Sequence, residues 1–169
     1  MTLTGHAVVG AAIIKILPSH PILAVVLAFF SHFVLDAIPH WDYPINSKRD
    51  DPKDLMNSTM HLDRLFLKDL VKICIDGTVG VIVSLLLFAP SYSLSFSNLI
   101  SLWPIVLGAG AGMIADFLQF LYLQIRVEPL IVIQRLHVCI HTEKKMKRFK
   151  FLSIASQIAG ILLIKYYIG

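Results

Sequence analysis

The sequence predicts an all-α, polytopic integral membrane helical bundle of about five transmembrane helices with one or two interfacial helices, and three observations carry this. Hydrophobic residues make up 56% of the 169 and charged residues 15%, where an ordinary soluble domain carries about 25% charged. The mean hydropathy is +0.73, and the apolar residues come in blocks at roughly 3–17, 21–38, 70–90, 99–123 and 151–168. Lys and Arg collect in the stretches between blocks rather than within them. The length suits a single membrane-embedded helical domain over 1–169, with no separate soluble domain.

The blocks differ in reach. About 20 apolar residues cross the hydrocarbon core as a helix, which 70–90 and 99–123 satisfy comfortably and 151–168 adequately. The first block is short, so it is expected to tilt or to span only half the bilayer. Ser19, His20 and Pro21 break the chain after it, which makes the first two blocks an antiparallel helical hairpin. Between the second and third blocks, Leu55, Leu62, Leu65, Phe66 and Leu70 recur at near-helical spacing, predicting a surface-lying amphipathic helix over 54–70. A second short helix is expected over 129–141, with Pro129 in the first-turn position that suits proline.

Charge sets the orientation. Lys48, Arg49, Lys53, Arg64 and Lys68 follow the second block, and Arg126, Arg135, Lys144, Lys145, Lys147, Arg148 and Lys150 precede the last, whereas the connection 91–98 carries no charge. The positive-inside rule puts both basic stretches in the cytoplasm, with the N-terminus inside, the C-terminus outside and the chain multi-pass in the cytoplasmic (inner) membrane. The run 144–150 reads as an anchor to anionic lipid headgroups. The net charge of +4 and pI near 9.1 therefore need no nucleic-acid partner. Cys74 and Cys139 are far apart, one in an apolar block and one near a basic stretch, and are expected as free thiols. The start lacks a basic n-region and a cleavage site, so no cleavable signal is expected.

Charged side chains in a bilayer cost about 2.5–3.5 kcal/mol on insertion scales, so the polar residues within the blocks call for a purpose. His32 and Asp36 lie four apart on one helical face, and His40 and Asp42 follow Pro39 beside Trp41. Together they supply four N/O ligands within eleven residues. Asp76 lies in the third block; Asp116 follows Gly108 and Gly112 at four-residue intervals, a small-residue stripe that lets another helix approach closely. His137 and His141, again four apart, can chelate one transition metal, and His6 opens the first block. By the topology above, all of these fall at or near the cytoplasmic side. Each also has a plainer reading: a self-neutralising His32–Asp36 pair, a helix cap or a Lys72 partner for Asp76, a packing or proton-carrying role for Asp116, and surface histidines at 137 and 141.

Gly5-His6, Ser31-His32-x-x-x-Asp36, His40-Trp41-Asp42-Tyr43 and Gln134-Arg-x-His137-x-x-x-His141-Thr142 resemble a bacterial family of small, predicted membrane-bound metal-dependent hydrolases. The order of motifs departs from that family, whose paired histidines precede the Ser-His helix and lie five apart. The resemblance implies a metal held by His6, His32, Asp36, His40, His137 and His141. Zinc suits the imidazoles best, with manganese as the alternative. Asp76 or Asp116 would then serve as catalytic base or orienting carboxylate, and substrates would be lipid or lipid-linked esters or phosphoesters. A non-enzymatic scaffold with buried His–Asp pairs, or a protein that handles protons or metal ions, is the competing reading. A serine lipase and a zincin are poor matches. The chain has no Gly-x-Ser-x-Gly elbow, and Val138 stands where His-Glu-x-x-His would need glutamate.

Overall fold

A computed structural model of the chain describes residues 1–89, 96–141 and 149–168. Its described elements run α1 (Leu3–Ile16), α2 (Pro21–Asp36), β1 (Lys48–Arg49), a 3₁₀ turn (Leu55–Asn57), β2 (Thr59–Met60), α3 (Arg64–Phe88), α4 (Phe96–Gln124), α5 (Leu130–Ile140) and α6 (Lys150–Ile168). Most of the uncharged connection 91–98 and of the basic run 144–150 lies outside the described residues.

Three helices are long and apolar enough to cross a membrane: α3, the 100–124 portion of α4, and α6. Their outward faces carry large apolar side chains such as Val71, Ile82, Leu86, Phe151, Leu162 and Tyr166. Apolar exposure of that extent is unusual in a soluble monomer and suits lipid contact. Helices α1 and α2 have 14 and 16 residues, or about 21 and 24 Å of helix against a core of about 30 Å.

Helix α1 is the centre of the bundle. It packs against α2, α3, α4 and α6, and His6, Ala7, Val8, Gly10, Ala11 and Ala12 are all buried. The predicted small-residue stripe of α4 is where α1 makes its closest approach. A Cβ on Gly108 would lie 2.6 Å from the Gly10 carbonyl oxygen, and one on Gly80 of α3 would lie 2.8 Å from the Ala7 Cβ. Backbones this close gain dispersion contacts that larger side chains would forbid, the usual basis of helix association in lipid. Away from the site, Lys15 donates to Phe88 O and Lys165 to Leu87 O. Both cations thus sit on orphan carbonyls at the C-terminus of α3, where the helix dipole favours them.

Residues 54–70 do not form the surface helix that their apolar spacing predicts. Asp63 accepts hydrogen bonds from Leu65 N and Phe66 N and starts α3 there, and Asp54 caps the 3₁₀ turn through Met56 N. Between them β2 pairs with β1 in an antiparallel hairpin. Tyr122 Oη donates to Met56 O at 2.7 Å and Arg126 to Ser58 O at 3.0 Å, fastening this loop to the end of α4. Carboxylates that cap helices define the boundaries here, and a hydrophobic pattern does not register them. The short helix expected over 129–141 is α5, with Pro129 as its N-cap residue.

Candidate metal centre

Asp36 ends α2, because Pro39 disfavours helical geometry in the residue before it and Ala37 closes the last turn. Its side chain is 3% exposed, and four elements bring nitrogen atoms to it. His32, one turn earlier, places Nε2 3.1 Å from Oδ2. From α5, His137 Nε2 comes within 3.2 Å of the same oxygen, and from α1, His6 Nε2 lies 3.2 Å from Oδ1. His40, in the segment after α2, stands 3.9 Å from Oδ1. The His6 and His32 rings stack with centroids 3.9 Å apart.

The tautomers are set from behind. His32 Nδ1 lies 3.0 Å from the Gly112 carbonyl and His40 Nδ1 2.6 Å from the Ile38 carbonyl. A carbonyl can only accept, so each Nδ1 carries the proton. In a neutral ring each Nε2 then presents its lone pair to the carboxylates. A lone pair 3.1 Å from a carboxylate oxygen is repulsive unless a proton or metal ion lies between them. Histidines held in this way, with one ring N–H on a backbone carbonyl, are how metal ligands are oriented. Among the described residues, His6 is fully buried and its Nε2 meets only the Asp36 carboxylate, as His32 Nε2 meets only Asp36 and Asp116, while Nδ1 of His6 and of His137 makes no hydrogen bond. Two ligands of one ion at about 2.1 Å, set about 90–110° apart, lie about 3.0–3.4 Å from each other, which is the spacing around Asp36.

Four overlapping groups of side chains are close enough to hold an ion: His6–His32–Asp36, His32–Asp116–His137, Asp36–His137–His141 and His40–Asp42–His141. All six histidines and aspartates expected as ligands therefore converge. Asp116 joins them, with Oδ1 3.6 Å from His32 Nε2, and so does Asp42, whose Oδ1 lies 3.0 Å from His40 Nε2. Burial works to raise the Asp42 pKa, but the close approach of His40 and of the Met1 ammonium outweighs it and holds the carboxyl below its usual range. Asp116 is the most open of the group, with its side chain 37% exposed.

Asp76 stands outside all four groups. Its carboxylate accepts from Leu3 N at 2.7 Å, Thr4 N at 3.1 Å and Thr4 Oγ1 at 2.6 Å, so it caps the N-terminus of α1 from a neighbouring helix. Lys72, its other sequence-based partner, pairs with Asp69 instead at 2.8 Å. Burial, with Asp76 and Asp116 nearby, pushes the Tyr43 hydroxyl well above its usual pKa and keeps it protonated. Asp76 thus fixes the turn that carries His6. Asp76→Ala is expected to cost about 1–2 kcal/mol, the range for losing a cap, as read by heat unfolding in detergent.

Sequence reasoning passed over the supports from α6. Ser153 Oγ accepts from Trp41 N at 2.7 Å, and Gln157 Oε1 accepts from Thr2 Oγ1 at 2.9 Å. These hold the His40–Asp42 segment and the start of α1 against the last helix, and small polar residues in an apolar block are their only trace in the sequence.

Fold and site together define a helical protein with, among the described residues, three helices long and apolar enough to span a membrane and a buried His/Asp cluster able to hold a metal ion. Set against family models, curated proteins and solved structures, the chain matches none.

Proposed function

We propose that this chain is a membrane-embedded metal-dependent hydrolase acting on lipid or lipid-linked esters or phosphoesters at the cytoplasmic face of the inner membrane. The observation that carries the reading is the convergence of buried imidazole nitrogens of His6, His32 and His137 within 3.2 Å of a carboxylate that is itself buried. His6, His32, His137 and Asp36 would hold the ion, zinc first by ligand chemistry. A divalent ion there supplies Lewis-acid activation of water and of the scissile group.

The remaining chemistry falls to Asp116. As the open carboxylate at the mouth of the cluster, it accepts the proton of the attacking water and returns it to the leaving alkoxide. The water oxygen bonds to the acyl carbon or phosphorus as the ester C–O or P–O bond breaks. On the same two helices that carry His32 and Asp116, an apolar groove of about 630 Å³, lined by Phe29, Phe30, Trp103, Ala111 and Ile114, offers room for an acyl chain. In this reading α1 and α2 complete a five-crossing bundle with its basic loops inside.

Transport of protons or metal ions is less well supported. It needs polar groups across the whole thickness, whereas Ser84 in α3 returns its hydroxyl to Gly80 O. Elemental analysis of protein purified in detergent without chelator tests the proposal. Wild type is expected to carry stoichiometric zinc or manganese, and His32→Ala and His137→Ala to lose it, after which lipid esters and phosphates are screened for turnover. Folded wild type that takes up no metal when offered it would leave the scaffold reading in place.

A further inference from the structure

The cluster offers more ligands than one ion can use. Eight side chains belong to the groups around Asp36: His6, His32, His40, His137, His141, Asp36, Asp42 and Asp116. Zinc takes four ligands, or five when it expands. The donors also divide in space. Asp36 Oδ2 faces His32 and His137, while Oδ1 faces His6 and, further off, His40. Beyond His40 lies a second group, His40–Asp42–His141, which shares no residue with His6–His32–Asp36. His40 and Asp42 come from the segment after α2, and His141 from the end of α5.

A cation already lies against two members of this second group, His40 and Asp42, and against Asp36. The Met1 ammonium sits 2.8 Å from Asp36 Oδ1, 2.6 Å from His40 Nε2 and 2.9 Å from Asp42 Oδ1. Its nitrogen stands where a metal ion would stand, among the lone pairs of one imidazole and two carboxylates. The His40 lone pair is committed to that point because Nδ1–H is bonded to Ile38 O. Asp42 Oδ1 faces both the Met1 ammonium and, at 3.0 Å, His40 Nε2.

We infer that His40, Asp42 and His141 hold a second divalent ion, with Asp36 shared between it and the first. The inference rests on the metal-dependent reading above and narrows its substrate class. Paired ions serve phosphoryl displacement by stabilising both the attacking and the leaving oxygen, so the pair favours a lipid phosphoester over a carboxylic ester.

Metal content and spin coupling test this on the full chain in detergent. Wild type offered zinc or manganese should bind two ions, falling to one in His40→Ala and in His141→Ala. Manganese-loaded wild type should show the exchange-coupled spectrum of two ions joined by a carboxylate in electron paramagnetic resonance, a readout that needs no variant to fold. One ion per chain with an isolated six-line spectrum would overturn the inference and leave a single-metal hydrolase standing. Two ions that both survive His40→Ala and His141→Ala would overturn the assignment of these ligands. No ion at all would remove this inference and the proposed function together.

Discussion

Asp36→Ala is expected to strip the centre of metal entirely and to destabilise the fold by about 3–5 kcal/mol, the cost of breaking a buried ion pair by removing one partner. No other side chain here meets so many polar groups. Within 3.9 Å of its carboxylate are nitrogens of His6, His32, His40 and His137 and the Met1 ammonium. Without it His6 and His137 lose their carboxylate, leaving Asp42 to face Met1 and His40 and Asp116 to face His32. Losing a group that hydrogen-bonds to a metal ligand costs about 10–100-fold in metal affinity, and losing the shared ligand should cost more. Asp36→Asn separates a binding role from a structural one. The amide keeps the volume and two polar positions, so a scaffold would regain most of its stability with asparagine. A metal ligand would not be replaced, because the neutral amide is a poor donor to zinc. Elemental analysis and heat unfolding of both variants in the same detergent check this. Full metal content in folded Asp36→Asn would contradict the centre as described.

Parts of the site were legible because they lie within one helix turn. His32 and Asp36 at i and i+4 share a face by the geometry of the helix alone, and His137 and His141 follow the same rule. The meeting of α1, α2 and α5 at one carboxylate was not legible, since spacing encodes no distance between helices. Only the expected one-sided placement of ionisable groups hinted at it. The plain readings also had a share of the truth: Asp76 does cap a helix, though α1 rather than its own. For the fold, apolar blocks located the helices, but hydropathy did not show which of them would be central. Helix α1 is buried by its neighbours instead of facing lipid, so small residues and close packing set its composition. Over 54–70 the error ran the other way. Leucines and Phe66 at helical intervals suggested one helix, whereas Asp54 and Asp63 each start a separate one, and the stretch between them is held by Tyr122 and Gln124 of α4.

Gly112→Ala should disturb the centre without touching a ligand, and it tests whether the small-residue stripe exists for the site or only for packing. The Gly112 carbonyl fixes His32 through Nδ1 at 3.0 Å. A methyl group on its Cα would collide with the carbonyl oxygen of His6 and lie 3.0 Å from the His6 carbonyl carbon. Both obstacles are backbone, so relief requires α1 and α4 to separate, carrying His6 away from Asp36 while His32 stays with α2. Overpacking of this kind costs about 1–3 kcal/mol, and the ligand shift should lower metal affinity on top of that. Gly110→Ala is the matched control: two residues along the same helix, a Cβ there meets nothing within 4 Å. The expected result is therefore wild-type metal content and unfolding temperature in Gly110→Ala, with both reduced in Gly112→Ala. If Gly112→Ala lost stability yet kept full metal content, the close approach of α1 to α4 would be a packing device independent of the ligand geometry.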